Sequence, residues 1–242
     1  MAHTPYRRIV LKLSGEVLGG SQRTVLDVDF AKAVLMQIQA VAARGVQVGV
    51  VVGGGNILRG SEAARRGLGR VAADSIGMLG TVINGLAMRD LARGLGLDLR
   101  VMSCVPVATF AEPYSVDGAV AHLEAGRPVV FVGGTGNPFL TTDTAAALRA
   151  AEIKADAILK ATKVDGVYTA DPASDSGARR FETITFEDAL TRGLCFMDRA
   201  ALCLCSGAGI PVVVFNIFDE KSIERVVAGE RIGTVVMGVS HG

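Results

Sequence analysis

The chain has 242 residues, 25 Lys+Arg against 24 Asp+Glu, and half of its residues are hydrophobic. A chain of this size buries roughly 70–75% of its unfolded surface, so it needs no disulfide or metal staple. An apolar half with a charged fifth excludes disorder, and a net charge of +1 argues against a dedicated nucleic-acid surface, which needs a basic stripe.

In chain order, Arg7–Leu13 reads as a strand and Asp29–Arg44 as an amphipathic helix stopped by Gly45. Val46–Val52 is a near-continuous apolar run, the mark of a strand covered on both faces. A long helix is expected over Asp74–Arg93, with Leu79, Val82/Ile83, Leu86 and Leu91 in one stripe and Met78 and Met88 in packing roles. Further strands are predicted at Leu97–Met102, Pro128–Val132, Ala155–Lys160 and Pro211–Phe215. Helices at Val116–Ala125, Thr142–Lys154, Phe186–Arg192 and Met197–Ala208 separate them. Strict alternation of this kind predicts an α/β fold, a three-layer αβα sandwich around a mostly parallel sheet. The polar stretch Asp171–Arg180 is the expected loop, and composition does not shift across it, so one domain is expected over 1–242.

Cys104, Cys195, Cys203 and Cys205 include no C-x-x-C pair, so buried thiols are expected in place of a metal site. The N-terminus reaches charge within a few residues, without a signal-peptide core, and no run of about 18 apolar residues occurs. A soluble cytoplasmic protein without a membrane partner is the expectation.

Ligands of open parallel sheets bind at the carboxyl ends of the strands. Three glycine clusters fall there: Lys12-Leu13-Ser14-Gly15, Gly53-Gly54-Gly55-Asn56 and Gly133-Gly134-Thr135-Gly136-Asn137-Pro138. Glycine lets backbone N–H groups approach an anion closely, so three such turns at equivalent strand ends point to phosphate. A P-loop is excluded, because the chain has no Gly-Lys dipeptide. The dinucleotide fingerprint also fails, with Leu58 and Phe139 where its third glycine belongs. Lys12 is a charge within an apolar strand, and a lysine is seldom buried there without an anion. Arg59 is placed to clamp phosphate, whereas Arg65, Arg66 and Arg70 read as a solvated helix face. Asp74 suits either a helix N-cap or a sugar-hydroxyl acceptor, and Asp143 carries the same two readings.

Taken together, the motifs Lys12-Leu13-Ser14-Gly15-Glu16, Gly53-Gly54-Gly55-Asn56-Ile57-Leu58-Arg59-Gly60, Asn84-Gly85-Leu86-Ala87-Met88-Arg89-Asp90, Gly134-Thr135-Gly136-Asn137-Pro138-Phe139 and Lys160-Ala161-Thr162-Lys163-Val164-Asp165-Gly166-Val167-Tyr168 give a chain that resembles the bacterial UMP kinases of the amino acid kinase family. The resemblance implies transfer of the ATP γ-phosphoryl group to UMP, giving UDP and ADP. It implies ATP contacts from Lys12, Leu13, Ser14, Gly15, Gly55, Arg59, Thr162, Tyr168 and Asp171. UMP contacts would come from Gly54, Asp74, Thr135, Gly136, Asn137, Pro138, Phe139, Leu140, Thr141 and Thr142. Lys12, Arg59, Asp143 and Asp198 would surround the reacting centre, with Asp198 orienting Lys12. Residues 1–150 would serve mainly UMP and 151–242 mainly ATP. Mg2+ would ride on the ATP phosphates without a protein cage. A homohexamer with GTP and UTP as effectors is also implied. One stretch departs from the family: Gly19-Gly20-Ser21-Gln22-Arg23-Thr24-Val25-Leu26-Asp27 replaces later glycines that relatives carry where GTP regulation is felt. The rival readings are a kinase of the same family acting on a carboxylate or carbamate, and a non-catalytic nucleotide- or oxyanion-binding protein.

Overall fold

A computed structural model describes residues 4–20, 24–59, 63, 65–172 and 174–238. Nine strands are present among them: β1 (Arg8–Leu13), β2 (Gln47–Val52), β3 (Arg100–Ser103), β4 (Glu112–Pro113), β5 (Val129–Val132), β6 (Ala157–Thr162), β7 (Thr183–Thr185), β8 (Val212–Asn216) and β9 (Thr234–Met237). They form one sheet in the order β4-β3-β5-β2-β1-β6-β8-β9-β7, parallel except where β8 meets β9. The helices are α1 (Gly15–Leu18), α2 (Val28–Ala43), α3 (Arg70–Gly94), α4 (Val116–Glu124), α5 (Thr142–Glu152), α6 (Phe186–Thr191), α7 (Arg199–Ala208) and α8 (Ser222–Val227).

Alternation along β1 explains the layers. Ile9, Leu11 and Leu13 point into one core with residues of α2, α3 and α8. Val10 points into the other, with residues of α4, α5, α6 and α7. Both faces are therefore covered, and the central strands read as unbroken apolar runs. Each large side chain buried in this way contributes about 1.5–3 kcal/mol. Helix α2 shows the matching pattern: Ala31, Val34, Leu35, Ile38 and Val41 are buried, and Asp27 caps the helix by accepting from the Phe30 N–H at 3.0 Å.

The three-layer α/β architecture is the one expected, with element ends displaced by at most four residues. Helix α3 begins at Arg70, four residues before the expected start, and Gly69 occupies its N-cap. Asp74 thus lies inside the helix and caps nothing. The stripe expected on this helix also divides. Val82 and Met88 are buried, whereas Leu79 and Ile83 are exposed together with Val71 and Ile76. By length and composition α3 would cross a bilayer, yet its Thr81, Asn84 and Met88 face is buried against the rest of the chain. Five short elements were not expected: α1, β4, β7, α8 and β9. The described part of the 171–180 segment carries turns and ends in a single antiparallel bridge from Arg180 to Tyr168.

Candidate functional site

Strands β1, β2, β5 and β6 are mutually parallel neighbours, so the loops after them emerge on one edge of the sheet. The first two loops touch back to back. A Cβ on Gly15 would stand 2.6 Å from the Gly55 nitrogen, and one on Gly53 would stand 2.6 Å from the Gly15 nitrogen. No side chain larger than hydrogen fits at either position. Gly54 is held as closely on its other side, where a Cβ would meet the Gly77 carbonyl of α3 at 2.4 Å. The third loop turns through positive φ at Gly133, Gly134 and Gly136, conformations that cost glycine little.

Beneath these loops lies a charged cluster. Lys12 on β1 and Lys160 on β6 are register partners, and alternation sends both to the α5 side of the sheet. Both are buried, at 7% and 6% exposure. Between them stands Asp143, the second residue of α5, with one carboxylate oxygen 2.7 Å from each ammonium. The Thr141 hydroxyl caps this helix and accepts from the Asp143 N–H at 3.0 Å, which fixes where the carboxylate sits. Burial pushes the Asp143 carboxyl upward, but the charges of Lys12 and then Lys160 outweigh it and hold it below its usual range. Lys160 is pushed down to about 8, chiefly by burial and next by the charge of Lys12, against the pull of Asp143. Two cations share one carboxylate, and among the described residues no second carboxylate pairs with either lysine.

Asp198 does not orient Lys12. Its carboxylate accepts from the Thr141 and Thr144 hydroxyls and from the Ala201 N–H, the last at 2.9 Å, where it caps α7. It therefore braces the start of α5, one step behind Asp143, and Asp143 is the group that holds Lys12.

Two adjoining cavities open among the glycine loops, and Asp143 lines neither of them but a third, of about 590 Å³, with Met197, Asp198 and Leu202. One, of about 440 Å³, is walled by Ser14, Gly54, Asp74, Thr135, Thr141 and Thr142 among others. The other, of about 510 Å³, shares Glu16, Gly55 and Arg59 with the first and runs toward Thr24, Arg66 and Lys163. Arg59 stands at the shared rim and pairs with Glu16, both about half exposed. Arg70 is exposed, as a solvated face requires, and it also donates to Asp74 at 2.7 Å and lies over the Phe139 ring at 5.4 Å. Asp74 also accepts from the Phe139 N–H at 2.8 Å, so it ties the third loop to α3. Phe139 takes a φ of 69°, a left-handed conformation unusual for a non-glycine residue.

The remaining expected residues fall as follows. Leu140 lines the first cavity with Thr135, and Gly136, Asn137, Pro138 and Phe139 complete the loop between them. Thr135 shapes that loop, its hydroxyl accepting from the Asn137 N–H at 3.1 Å. The Leu13 side chain is fully buried, and its carbonyl accepts from the Gly53 N–H at 2.8 Å. Thr162 ends β6 and donates to the Val164 carbonyl at 2.6 Å. The Tyr168 hydroxyl donates to Asp165 at 2.7 Å, and the Asp171 carbonyl opens the next turn by accepting from Ser174. Ser21, Gln22 and Arg23 of the altered glycine segment lie outside the described residues.

Sequence reasoning gave no role to Lys160, although it satisfies the argument made for Lys12, a charge within an apolar strand. It also left Glu16 without a role, and the polar pair Thr81 and Asn84, which interrupts the buried face of α3.

The model of the amino acid kinase family matches residues 7–216 of this chain. A uridylate kinase of Legionella pneumophila (strain Corby) is 48% identical over 236 residues, covering 98% of this chain and 96% of that one. A uridylate kinase of Methylococcus capsulatus (strain Bath) is also 48% identical, over 98% of this chain and 99% of that one. Among solved structures, the UMP kinase of Bacillus anthracis superimposes with a TM-score of 0.93 at 37% identity, covering 98% of each chain.

Proposed function

Because the chain belongs to the amino acid kinase family, grouping with its uridylate kinases, we infer that it transfers the γ-phosphoryl group of ATP to UMP, giving UDP and ADP. The observation that carries this reading is the Lys12–Asp143–Lys160 cluster, two cations sharing one carboxylate near the carboxyl ends of β1 and β6, where the adjoining glycine loops wall two cavities.

A phosphate oxygen of UMP attacks the γ-phosphorus while the bond from that phosphorus to its β,γ-bridging oxygen breaks, and ADP departs with the oxygen. The attacking oxygen is already ionised at neutral pH, so no strong base is needed, and catalysis rests on positioning and charge stabilisation. Lys12 and Lys160 supply the positive charge, and Asp143 fixes both ammonium groups in place. A well-aimed donor of this kind is worth about 10²–10³ in rate. In this reading Ser14, Gly15 and Gly55 hold the ATP phosphates, and Arg59 leaves Glu16 for them. Thr162, Tyr168 and Asp171 serve the adenosine end. Gly54, Asp74, Gly134 and residues 135–142 enclose UMP, with Asp74 on the ribose. Asp198 acts through α5.

Among the described residues no three His, Cys, Asp or Glu side chains gather to hold a metal ion, and Asp143 is already held by two lysines. That donor set suits Mg2+ carried on the ATP phosphates, within reach of the residues that hold those phosphates. When bound there, the ion neutralises charge on the transferring group.

The reading extends to a cytoplasmic enzyme of pyrimidine nucleotide synthesis, assembled as a homohexamer and inhibited by UTP, with the altered segment around Gly20 and Val25 arguing against activation by GTP. Support for assembly comes from the apolar flank of α3, where Val71, Ile76, Leu79 and Ile83 are exposed.

The test is the initial rate of ADP release from MgATP with UMP, CMP, dTMP, glutamate or carbamate as acceptor. Turnover largely confined to UMP is expected. Turnover of glutamate or carbamate with none of UMP would overturn the reading, as would ATP and UMP binding with no UDP formed.

A further inference from the structure

Helix α3 carries three polar residues, Asp74, Thr81 and Asn84, that each grip a different point of the ligand-binding loops. Seven and ten residues after Asp74, Thr81 and Asn84 fall within roughly 80° of it around the helix, on one face and along about 15 Å of axis. Asp74 receives the Phe139 N–H. The Thr81 hydroxyl accepts from the Gly133 N–H at 2.7 Å and donates to the Met78 carbonyl of its own helix, also at 2.7 Å. The Asn84 amide donates to the Gly53 carbonyl at 2.7 Å and to the Asn56 side-chain oxygen at 2.8 Å, and it accepts from the Asn56 amide at 3.0 Å. Thr81 and Asn84 are each only 1% exposed.

These bonds satisfy the buried Gly133 N–H and the buried Gly53 carbonyl, and neither residue is needed to close α3, whose backbone bonds are internal. Both are directed at loops that otherwise contribute backbone to the cavities. At the 53–56 loop the Gly53 carbonyl is committed to Asn84 and the Gly54 carbonyl to the N–H groups of Ile57 and Leu58. None of the described residues accepts from the Gly54 or Gly55 N–H, and both residues line the first cavity. The Asn56 oxygen that Asn84 holds lies where a Cβ on Gly15 would come within 2.4 Å of it. The amide pair thus stands directly behind the contact of Gly15 with Gly55, the two glycines read above as holding the ATP phosphates, while the adjacent Gly54 faces UMP. Asparagine suits this position because it both donates and accepts while adding no charge beside phosphates. An aspartate could not donate to Gly53 and would repel them.

Resting on the phosphoryl-transfer reading, we propose that α3 is a shared spine whose two buried polar residues divide the substrates between them: Asn84 is a positioning residue for the ATP loops, and Thr81 is one for the UMP loop. The two grips lie less than one helical turn apart on a rigid element, so the donor and acceptor loops keep a fixed spacing across the cavity where the phosphoryl group moves.

The test compares Asn84→Ala, Asn84→Asp and Thr81→Val in the full-length protein, by steady-state kinetics and by calorimetric titration with MgADP and UMP separately. The Asn84 variants are expected to raise KM for ATP and Kd for MgADP about tenfold, with the UMP constants moved less than about threefold. Thr81→Val is expected to do the reverse. Asn56→Ala removes the same amide pair from its half-buried end and should reproduce the Asn84 pattern, which decides the matter if the core variants do not fold. A role in stability alone would lower Tm and leave the two substrates equally affected; that result, or a split in the opposite sense, overturns the proposal. The titrations read the split without turnover, so a wild-type protein that binds both nucleotides but forms no UDP would sink the phosphoryl-transfer reading and leave the division of grips separately measurable.

Discussion

The buried lysine–carboxylate cluster between β1, β6 and α5 and the arginine–carboxylate pairs at the cavity rim use the same chemistry at opposite ends of the burial scale. Lys12, Lys160 and Asp143 are enclosed, and removing Asp143 leaves two ammonium groups stranded in a poor solvent, where breaking a buried pair costs about 3–5 kcal/mol. Arg59 and Glu16 are each about half exposed, where an ion pair contributes about 0–1 kcal/mol and exchanges partners readily. The buried cluster is therefore a permanent fixture, placed before substrate arrives and suited to act on the transition state. The rim pairs are place-holders that substrate phosphates and hydroxyls can displace, and they act on binding. Arg70 with Asp74 is intermediate, with an exposed guanidinium on a largely covered carboxylate.

The largest effect that would sharpen this contrast belongs to Asp143. Asp143→Asn should lower kcat by about 10²–10³ and lower the thermal midpoint by several degrees, because two buried ammonium groups lose their anion. A variant with full activity and an unchanged melting curve would break the distinction at its centre. Next comes Asp74→Asn, expected to raise KM for UMP about tenfold with KM for ATP nearly unchanged. An effect confined to ATP would put Asp74 on the wrong substrate.

The buried cluster also predicts a pH dependence with two opposite signs. Lys160 titrates near 8 in the folded protein, against about 10.4 for an unperturbed lysine. As pH rises through about 8 the free enzyme loses a cation from the phosphate site, so kcat/KM for ATP should fall with an apparent pKa near 8. Over the window from about 8 to 10.4 the unfolded chain holds the proton that the folded one has shed, so this group's contribution to stability rises with pH. Lys160→Arg should remove the alkaline limb in kcat/KM, since arginine stays charged. The same limb in that variant would assign it to another group.

The smallest effect lies at the rim. Glu16→Gln frees Arg59 and should lower KM for ATP about two- to fivefold at low salt, with the difference shrinking as ionic strength rises. A large loss of kcat would move Glu16 from the rim into the machinery.

How much of this was legible in the sequence follows the same division between local and non-local physics. The core strands could be read because burial on both faces leaves an unbroken apolar run, as in Val129–Val132. Strands β4, β7 and β9, of two to four residues, are too short for a period and exist through their pairing partners. The start of α3 was misplaced because Asp74 has the composition of a cap, whereas the chain uses Gly69 and spends the aspartate on the Phe139 loop. Lys160 escaped notice because the expected strand ended at residue 160, where a lysine reaches solvent. In the structure β6 runs on to Thr162 and buries it. The glycine clusters marked where phosphate chemistry belongs, but no local pattern ties Asp143 to Lys12 and Lys160. Only the parallel register of β1 with β6 and the seating of α5 bring them together.

The most direct measurement is a single-turnover chemical quench with ATP, Mg2+ and UMP saturating, comparing the wild-type protein with Lys12→Ala. The phosphoryl-transfer step should slow by at least about 10², with the affinities for MgADP and UMP changed only a few-fold, as a transition-state contact requires. An unchanged step, or a loss confined to binding, would contradict the role given to the buried cluster.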